Sequence, residues 1–361
     1  MSRPLPAGNR PLVITADETV LDDLLRLAAA AGAEVEVARD AASARGRWSA
    51  APLVLIGDDQ AEPVLAVNPP RRPRVLVVGR NVPEATWRRA VGLGAEQVIG
   101  LPAEESVLIE ALADAVDGGG TQAMVIGVVG GRGGAGASVL AAGLAMTSCR
   151  RGRATMLIDA DPYGGGIDLM LGAEQSGGLR WPDLAETRGR VGGSTLRDHL
   201  PEPHGLTVLS WDRGDVLSVP AEAVRAVVVA AGRAWDVVVV DLPRRMDLAT
   251  EEALARCNCV LLVVPAEVRA VAAASRVATG LGMIAVDVRT VVRGPAPSGL
   301  RGTEIAAALG LPLAAELDSE PGLVAALERG EPPARSGRGP LAQACGRLLD
   351  ELTADDESGA A

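Results

Sequence analysis

Between residues 11 and 117, short uninterrupted apolar runs alternate with longer stretches whose apolar positions recur every three or four residues. PLVITAD, AEVEVARD, APLVLIGDD, PRVLVVGR and AEQVIGLP are the runs. ETVLDDLLRLAAAAG, AASARGRWS, EATWRRAVGLG and EESVLIEALADAV are the stretches with helical spacing. Aliphatic runs this short, separated by amphipathic helices, predict a parallel sheet covered on both faces. DGGGTQA, residues 117–123, breaks the pattern and reads as a linker. A second alternation starts at Met124: MVIGVVG, a glycine-rich stretch, the helix SVLAAGLAMTSCRRG, then ATMLIDA, DVVVVD, CVLLVVP (259–265) and VRTVVR (288–293). The pattern predicts domains at 1–116 and 124–353, joined by residues 117–123, with a solvated tail at 354–361. The C-terminal segment places apolar residues at 341, 344, 345, 348, 349 and 352, which is helical spacing among mostly acidic neighbours. Membrane-surface helices favour basic flanks, so this one is expected to pack on its own domain.

Composition narrows the function classes. With 361 residues, 48% of them hydrophobic, the chain can bury two cores. No apolar run approaches the roughly 18–20 residues that span a bilayer, and MSRPLPAGNRP lacks the apolar centre of a secretory signal. A cytoplasmic location is expected, with membrane contact only through a partner. A net charge of −11 disfavours direct nucleic-acid binding. Cys149, Cys257, Cys259 and Cys345 form no CxxC pair, and His199 and His204 flank a proline-rich turn, so neither a zinc site nor a nucleophilic triad is supported. Cys257 and Cys259 are expected to be buried thiols. All 35 basic residues are arginine, which excludes any lysine-dependent mechanism.

Chemistry concentrates in GGRGGAGAS, residues 130–138, where a strand enters a glycine loop and a helix follows. That context turns backbone N–H groups and the positive end of a helix toward an anion, without needing a side chain at position 137. Ser138 retains a hydroxyl suited to Mg2+. Ala137 stands where a phosphate loop carries lysine. Removing a unit charge ~4 Å from phosphate, at an effective dielectric near 20, forfeits on the order of 4 kcal/mol. That is roughly a thousandfold in rate. Backbone bonds at ~1.5–3 kcal/mol each remain, so binding can outlast hydrolysis. Two strands end in acids, ATMLIDA at Asp159-Ala160-Asp161 and the four valines at Asp241.

RGGAGAS resembles the deviant phosphate loop of the MinD/ParA class, KGGxGK followed by Ser or Thr. The resemblance implies that the second domain is a P-loop NTPase with a mostly parallel sheet, which with the alternation before it gives an α/β chain whose first domain is receiver-like (flavodoxin-like). It implies that Arg132, Gly133, Gly134, Ala135, Gly136, Ala137, Ser138 and Val139 line ATP, and that Ser138, Asp159 and Asp241 hold Mg2+. Asp161 matches the second acid of the class's DxD, near the attacking water, and is the catalytic candidate. Arg132 stands at the signature lysine, which reaches across a dimer to the partner's nucleotide; a solvated side chain is the alternative. Val292-Arg293-Gly294-Pro295 stands where the class often places an adenine-reading asparagine.

The first domain resembles a response-regulator receiver with its chemistry removed: Ala16-Asp17-Glu18 retains one acid of a pair, Gly57 occupies the phosphoacceptor position, and Gly100-Leu101-Pro102 lacks lysine. It reads as a pseudo-receiver that docks partners, or as a generic flavodoxin-like domain. The alanine-bearing loop, with DADPYGGGIDLMLG, GLRWPDLAETRGRV, LTVLSWDRG and LPLAAELDSEPGLVAALERGEPP, is similar to the actinobacterial CpaE-like group, and to TadZ, also labelled septum site-determining proteins. Such resemblance implies a homodimer over nucleotide that localises a pilus or secretion apparatus or influences septum placement. The partner would be a secretion or pilus ATPase or a cell-division protein, and the complex would be recruited to the inner face of the membrane. ATP binding with weak or absent hydrolysis is expected; the alternative is a scaffold with a relic loop. Arg180-Trp181-Pro182 and Trp211-Asp212-Arg213 are either partner-facing or buried packing. Arg244-Arg245 is either a nucleotide or subunit contact or a solvated turn.

Overall fold

A computed structural model describes residues 10–116, 123–185, 191–297 and 299–359, with side chains through residue 354. The chain divides into two compact units on either side of residue 120, within the segment read as a linker, of which 117–122 lie outside the described residues.

The first unit contains β1 (Leu12–Ile14), β2 (Glu36–Ala38), β3 (Val54–Gly57), β4 (Val75–Gly79) and β5 (Gln97–Gly100). They pair in parallel in the order β2-β1-β3-β4-β5, the flavodoxin-like arrangement. Successive strand residues point to opposite faces, and both faces are covered. Val13 and Leu55 pack with Leu24, Leu108 and Leu112 on one side. Leu12, Ile14 and Ile56 pack with Trp48 and Val64 on the other. A helix at Ala61–Val67 adds to those expected; Pro63 and a length of only 7 residues mask it in the pattern. The stretch AASARGRWS forms a helix only over Ala41–Ala44.

The second unit contains β6 (Met124–Gly130), β7 (Thr155–Asp159), β8 (Thr207–Leu209), β9 (Val237–Leu242), β10 (Cys259–Pro265), β11 (Val288–Arg293) and β12 (Leu313–Leu317). All are parallel, in the order β12-β11-β10-β6-β9-β7-β8. Ile126, Val128, Val237, Val239 and Leu261 face helices Ala137–Arg150 and Pro340–Gly359. Val125, Val129, Val238, Val240 and Leu262 face helices Ala221–Ala234 and Val268–Leu281. The C-terminal helix packs on its own unit as expected: Leu341, Cys345, Leu348, Leu349 and Leu352 are buried, and a Cβ on Gly143 would lie 3.1 Å from the Cys345 Sγ. Its backbone continues to Gly359, into the segment read as a tail. Among the described residues no helix is long and apolar enough to cross a membrane.

The connection leaving β6 runs toward β7, whereas the one leaving β9 crosses back toward β10. Strand order therefore reverses at the carboxyl ends of β6 and β9, where open α/β sheets place their ligands.

Candidate functional site

Six residues separate the last residue of β6, Gly130, from the helix that begins at Ala137. Gly134 and Gly136 adopt φ of +70° and +97°, a conformation that side chains resist, and this curls the loop back toward the helix. The Gly131 N–H donates to the Val263 carbonyl at 2.8 Å. A Cβ on Gly131 would stand 2.6 Å from the Ala274 Cβ. The loop is thus fixed against β10 and helix Val268–Leu281, while Gly133 and Gly134 remain exposed. First-turn N–H groups lack intrahelical partners and sit at the positive end of the helix. Together with the glycine turn they form a cradle that fits a phosphate group. Ala135 is buried, and Ala137, Ser138 and Val139 are half-buried. Position 137 contributes only a methyl group.

Beside the cradle, β9 and β7 bring two carboxylates level with each other, because Asp159 and Asp241 are register partners. Both are buried. Burial, with the neighbouring Asp159 carboxylate second, raises the Asp241 pKa to about 8, while a hydrogen bond with Ser138 opposes the rise. Burial likewise raises Asp159 to about 6. Ser138, Asp241 and Asp159, three residues expected near Mg2+, thus stand together without a lysine to neutralise them. Among the described residues no three His, Cys, Asp or Glu side chains form a metal cage. Mg2+ needs less: one or two protein oxygens, with water and phosphate completing the shell. A pair of buried carboxylates with no cationic side chain paired to either among the described residues has the donor chemistry for that cation.

Asp159 also organises the following loop. It accepts the N–H of Asp161 at 3.2 Å and of Ile167 at 3.1 Å, and the Ser210 hydroxyl at 2.9 Å. Its carbonyl accepts the Trp181 Nε1–H at 2.6 Å. Asp161, half-buried, accepts the Tyr163 N–H at 3.0 Å. That bond occupies one carboxylate oxygen and holds the residue at the rim.

Several arginines lie in or near this region. Arg132 pairs with Glu267 at 2.8 Å. Arg245 pairs with Asp247 at 2.7 Å and lies over the Tyr163 ring. Arg244 approaches Gly133, and Arg293 approaches Gly136. Sequence reasoning gave Arg293 no part in phosphate binding, because β11 becomes a neighbour of the loop only through the sheet order.

Residues 14–123 match the family described as Rv3660c-like, CheY-like N-terminal domain. Over 341 residues the chain is 41% identical to Rv3660c of Mycobacterium tuberculosis (strain ATCC 25618 / H37Rv), covering 93% of this chain and 96% of that protein. The chain belongs to the Rv3660c-like family. Its second unit has the MinD/ParA fold. MinD of Aquifex aeolicus, solved in a MinC:MinD complex, superposes with a TM-score of 0.55 at 25% identity, covering 64% of this chain and 96% of that one. MinD of Pyrococcus horikoshii OT3, solved with Mg-ADP, gives 0.54 at 18% identity, again covering 64% and 96%.

In the CheY-like unit of this Rv3660c-like chain, the space beside Gly57, expected from the sequence to be the acceptor position, is filled. A Cβ on Gly57 would meet the Asp59 Oδ1 at 2.3 Å and the Thr15 Oγ1 at 2.6 Å. Asp59 accepts the Thr15 hydroxyl at 2.7 Å and the Ala16 N–H at 2.8 Å. Asp17, the acid retained after β1, instead caps helix Glu18–Ala30 through the Thr19 N–H at 2.8 Å.

The tryptophan segments are packing. Trp181 is fully buried, and its ring centroid lies 6.0 Å from that of Trp211. Arg180 is buried, and Arg213 clamps Asp168 through two bonds of 2.6 and 3.0 Å. Cys257, Cys259 and Cys345 are buried free thiols, each pushed by burial up to about 12, far from nucleophilic chemistry at neutral pH.

Proposed function

We propose that this Rv3660c-like protein is a nucleotide-binding protein of septum or partition type that binds ATP with Mg2+ and hydrolyses it weakly or not at all. One observation carries the reading: the left-handed glycine turn leads into a helix that starts at the methyl of Ala137, and the strands beside it hold the buried register pair Asp159 and Asp241. The phosphate chain would lie along the N–H groups of residues 133–139. Mg2+, held by Ser138 and Asp241 with Asp159 behind them, would neutralise phosphate charge. Asp161 would orient water at the rim. The Mg-ADP bound to the Pyrococcus MinD supports the same ligand class here.

The finer reading is CpaE-like. The protein would dimerise over nucleotide, and its CheY-like unit would serve as a pseudo-receiver that docks a secretion or pilus ATPase or a cell-division protein. Blockage of the acceptor position by Asp59 supports docking over phosphorylation. The MinC partner of the Aquifex MinD supports a cell-division partner. Membrane recruitment would come through that partner.

Phosphate release with Mg-ATP, alongside sedimentation with and without nucleotide, tests this. The parent is expected to shift toward dimer with little release. Ala137→Lys is expected to raise turnover at least about tenfold, part of the roughly thousandfold a loop cation can supply. A parent that turns over as fast as Ala137→Lys would overturn the proposal of weak hydrolysis.

A further inference from the structure

A loop without lysine still has cations near it, and two of them have no visible work. A Cβ built on Gly136 would lie 3.4 Å from Nη1 and 3.5 Å from Cδ of Arg293. The Arg293 side chain therefore crosses the last glycine of the loop, at the N-terminal end of helix Ala137–Arg150. Its Nε is buried with no hydrogen-bond partner, and among the described residues no carboxylate pairs with it. Nearer the start of the loop, Nη2 of Arg244 would stand 3.7 Å from a Cβ on Gly133, also without an ion pair among the described residues. Arg132 differs: its charge is paired with Glu267.

This arrangement is unfavourable as it stands. A guanidinium beside the positive end of a helix is repelled by it, and a buried N–H without an acceptor carries a desolvation penalty. An anion lying between the loop and the guanidinium relieves both. Asp159 and Asp241 do not serve, because neither pairs with these arginines.

The geometry points to Arg293 as the phosphate-binding cation of this site, delivered from the end of β11 in place of a loop lysine, with Arg244 beside Gly133 as a second contact. The ligand class is the phosphate chain of a nucleoside polyphosphate. A guanidinium presents paired N–H donors that match two phosphate oxygens, a geometry an ammonium cannot copy. The inference rests on the nucleotide-binding reading above and assigns the source of its charge.

The test is equilibrium titration of the full chain with Mg-ATP, comparing the parent with Arg293→Gln, Arg293→Lys, Ala137→Lys and the double variant Ala137→Lys/Arg293→Gln. Thermal midpoints without ligand monitor folding. Loss of a charge-assisted contact is expected to weaken binding about 10- to 100-fold in Arg293→Gln. The double variant is expected to recover most of it, a rescue that a merely structural role would not produce. Should Arg293→Gln fold poorly, Arg293→Lys keeps the charge and the aliphatic stem. A severalfold weaker affinity at an unchanged midpoint then supports the bidentate contact, and parental affinity overturns it. Parental affinity in folded Arg293→Gln overturns this inference and leaves nucleotide binding standing. Absence of binding in both the parent and Ala137→Lys overturns the two together.

Discussion

At Asp241 a run of valines delivers a carboxylate into the interior, and its neighbour in register is a second carboxylate, Asp159. Burial raises both, to about 8 and about 6. The folded chain thus holds protons that the unfolded chain releases near the ordinary carboxylate range. Between roughly pH 4 and pH 8 the unfolded state binds fewer protons, so the unliganded protein loses stability as pH rises. Asp241→Asn removes the larger shift. Its melting temperature at pH 8 is expected to exceed the parent's by about 3–10 °C, with the two converging near pH 5. Parallel melting curves across that range would contradict the assignment. Residue-scale crowding also acts in the first unit, where Asp59 occupies the space that any side chain at position 57 would need. Gly57→Asp is expected to lower the melting temperature by several degrees. Neither it nor the parent should incorporate label from radioactive acetyl phosphate; stoichiometric incorporation by either would restore a phosphorylation role.

The strand, loop and helix over residues 124–150 act as one element because the loop has no slack. Gly131 rests against Ala274 of a neighbouring helix, where neither backbone nor methyl can retreat. Gly131→Ala is expected to cost about 1–3 kcal/mol, read as a fall of roughly 2–10 °C in a thermal melt. An unchanged melt would show that the loop is not held as described. Legibility in the sequence followed the same logic of local against distant contact. β6, β9 and β10 are continuous aliphatic runs buried on both faces, and their pattern betrays them. β8 has 3 residues, and β12 is half-exposed and alanine-rich, so neither stands out without its neighbours. That the glycine loop, Ser138, Asp159 and Asp241 come together was legible, because strand ends and spacing encode their positions. The approach of Arg293 was not, since it depends on β11 lying one strand beyond β10 from the loop. Trp181, read as either interface or packing, is resolved by its bond to the Asp159 carbonyl.

On the scale of the whole molecule, a flavodoxin-like sheet and a MinD/ParA sheet are carried on one chain of the Rv3660c-like family. In the first, Asp59 fills the space beside Gly57, and in the second a glycine turn meets alanine at position 137. On the function proposed above, both features would limit turnover chemistry and leave a protein that works by binding. Calorimetric titration of the full chain with Mg-ATP, beside Ser138→Ala, tests this most directly. Saturable binding near one nucleotide per chain is expected in the parent, weakened about tenfold or more by loss of the Ser138 hydroxyl. No heat of binding in the parent at millimolar nucleotide would contradict it and leave a scaffold with a relic loop.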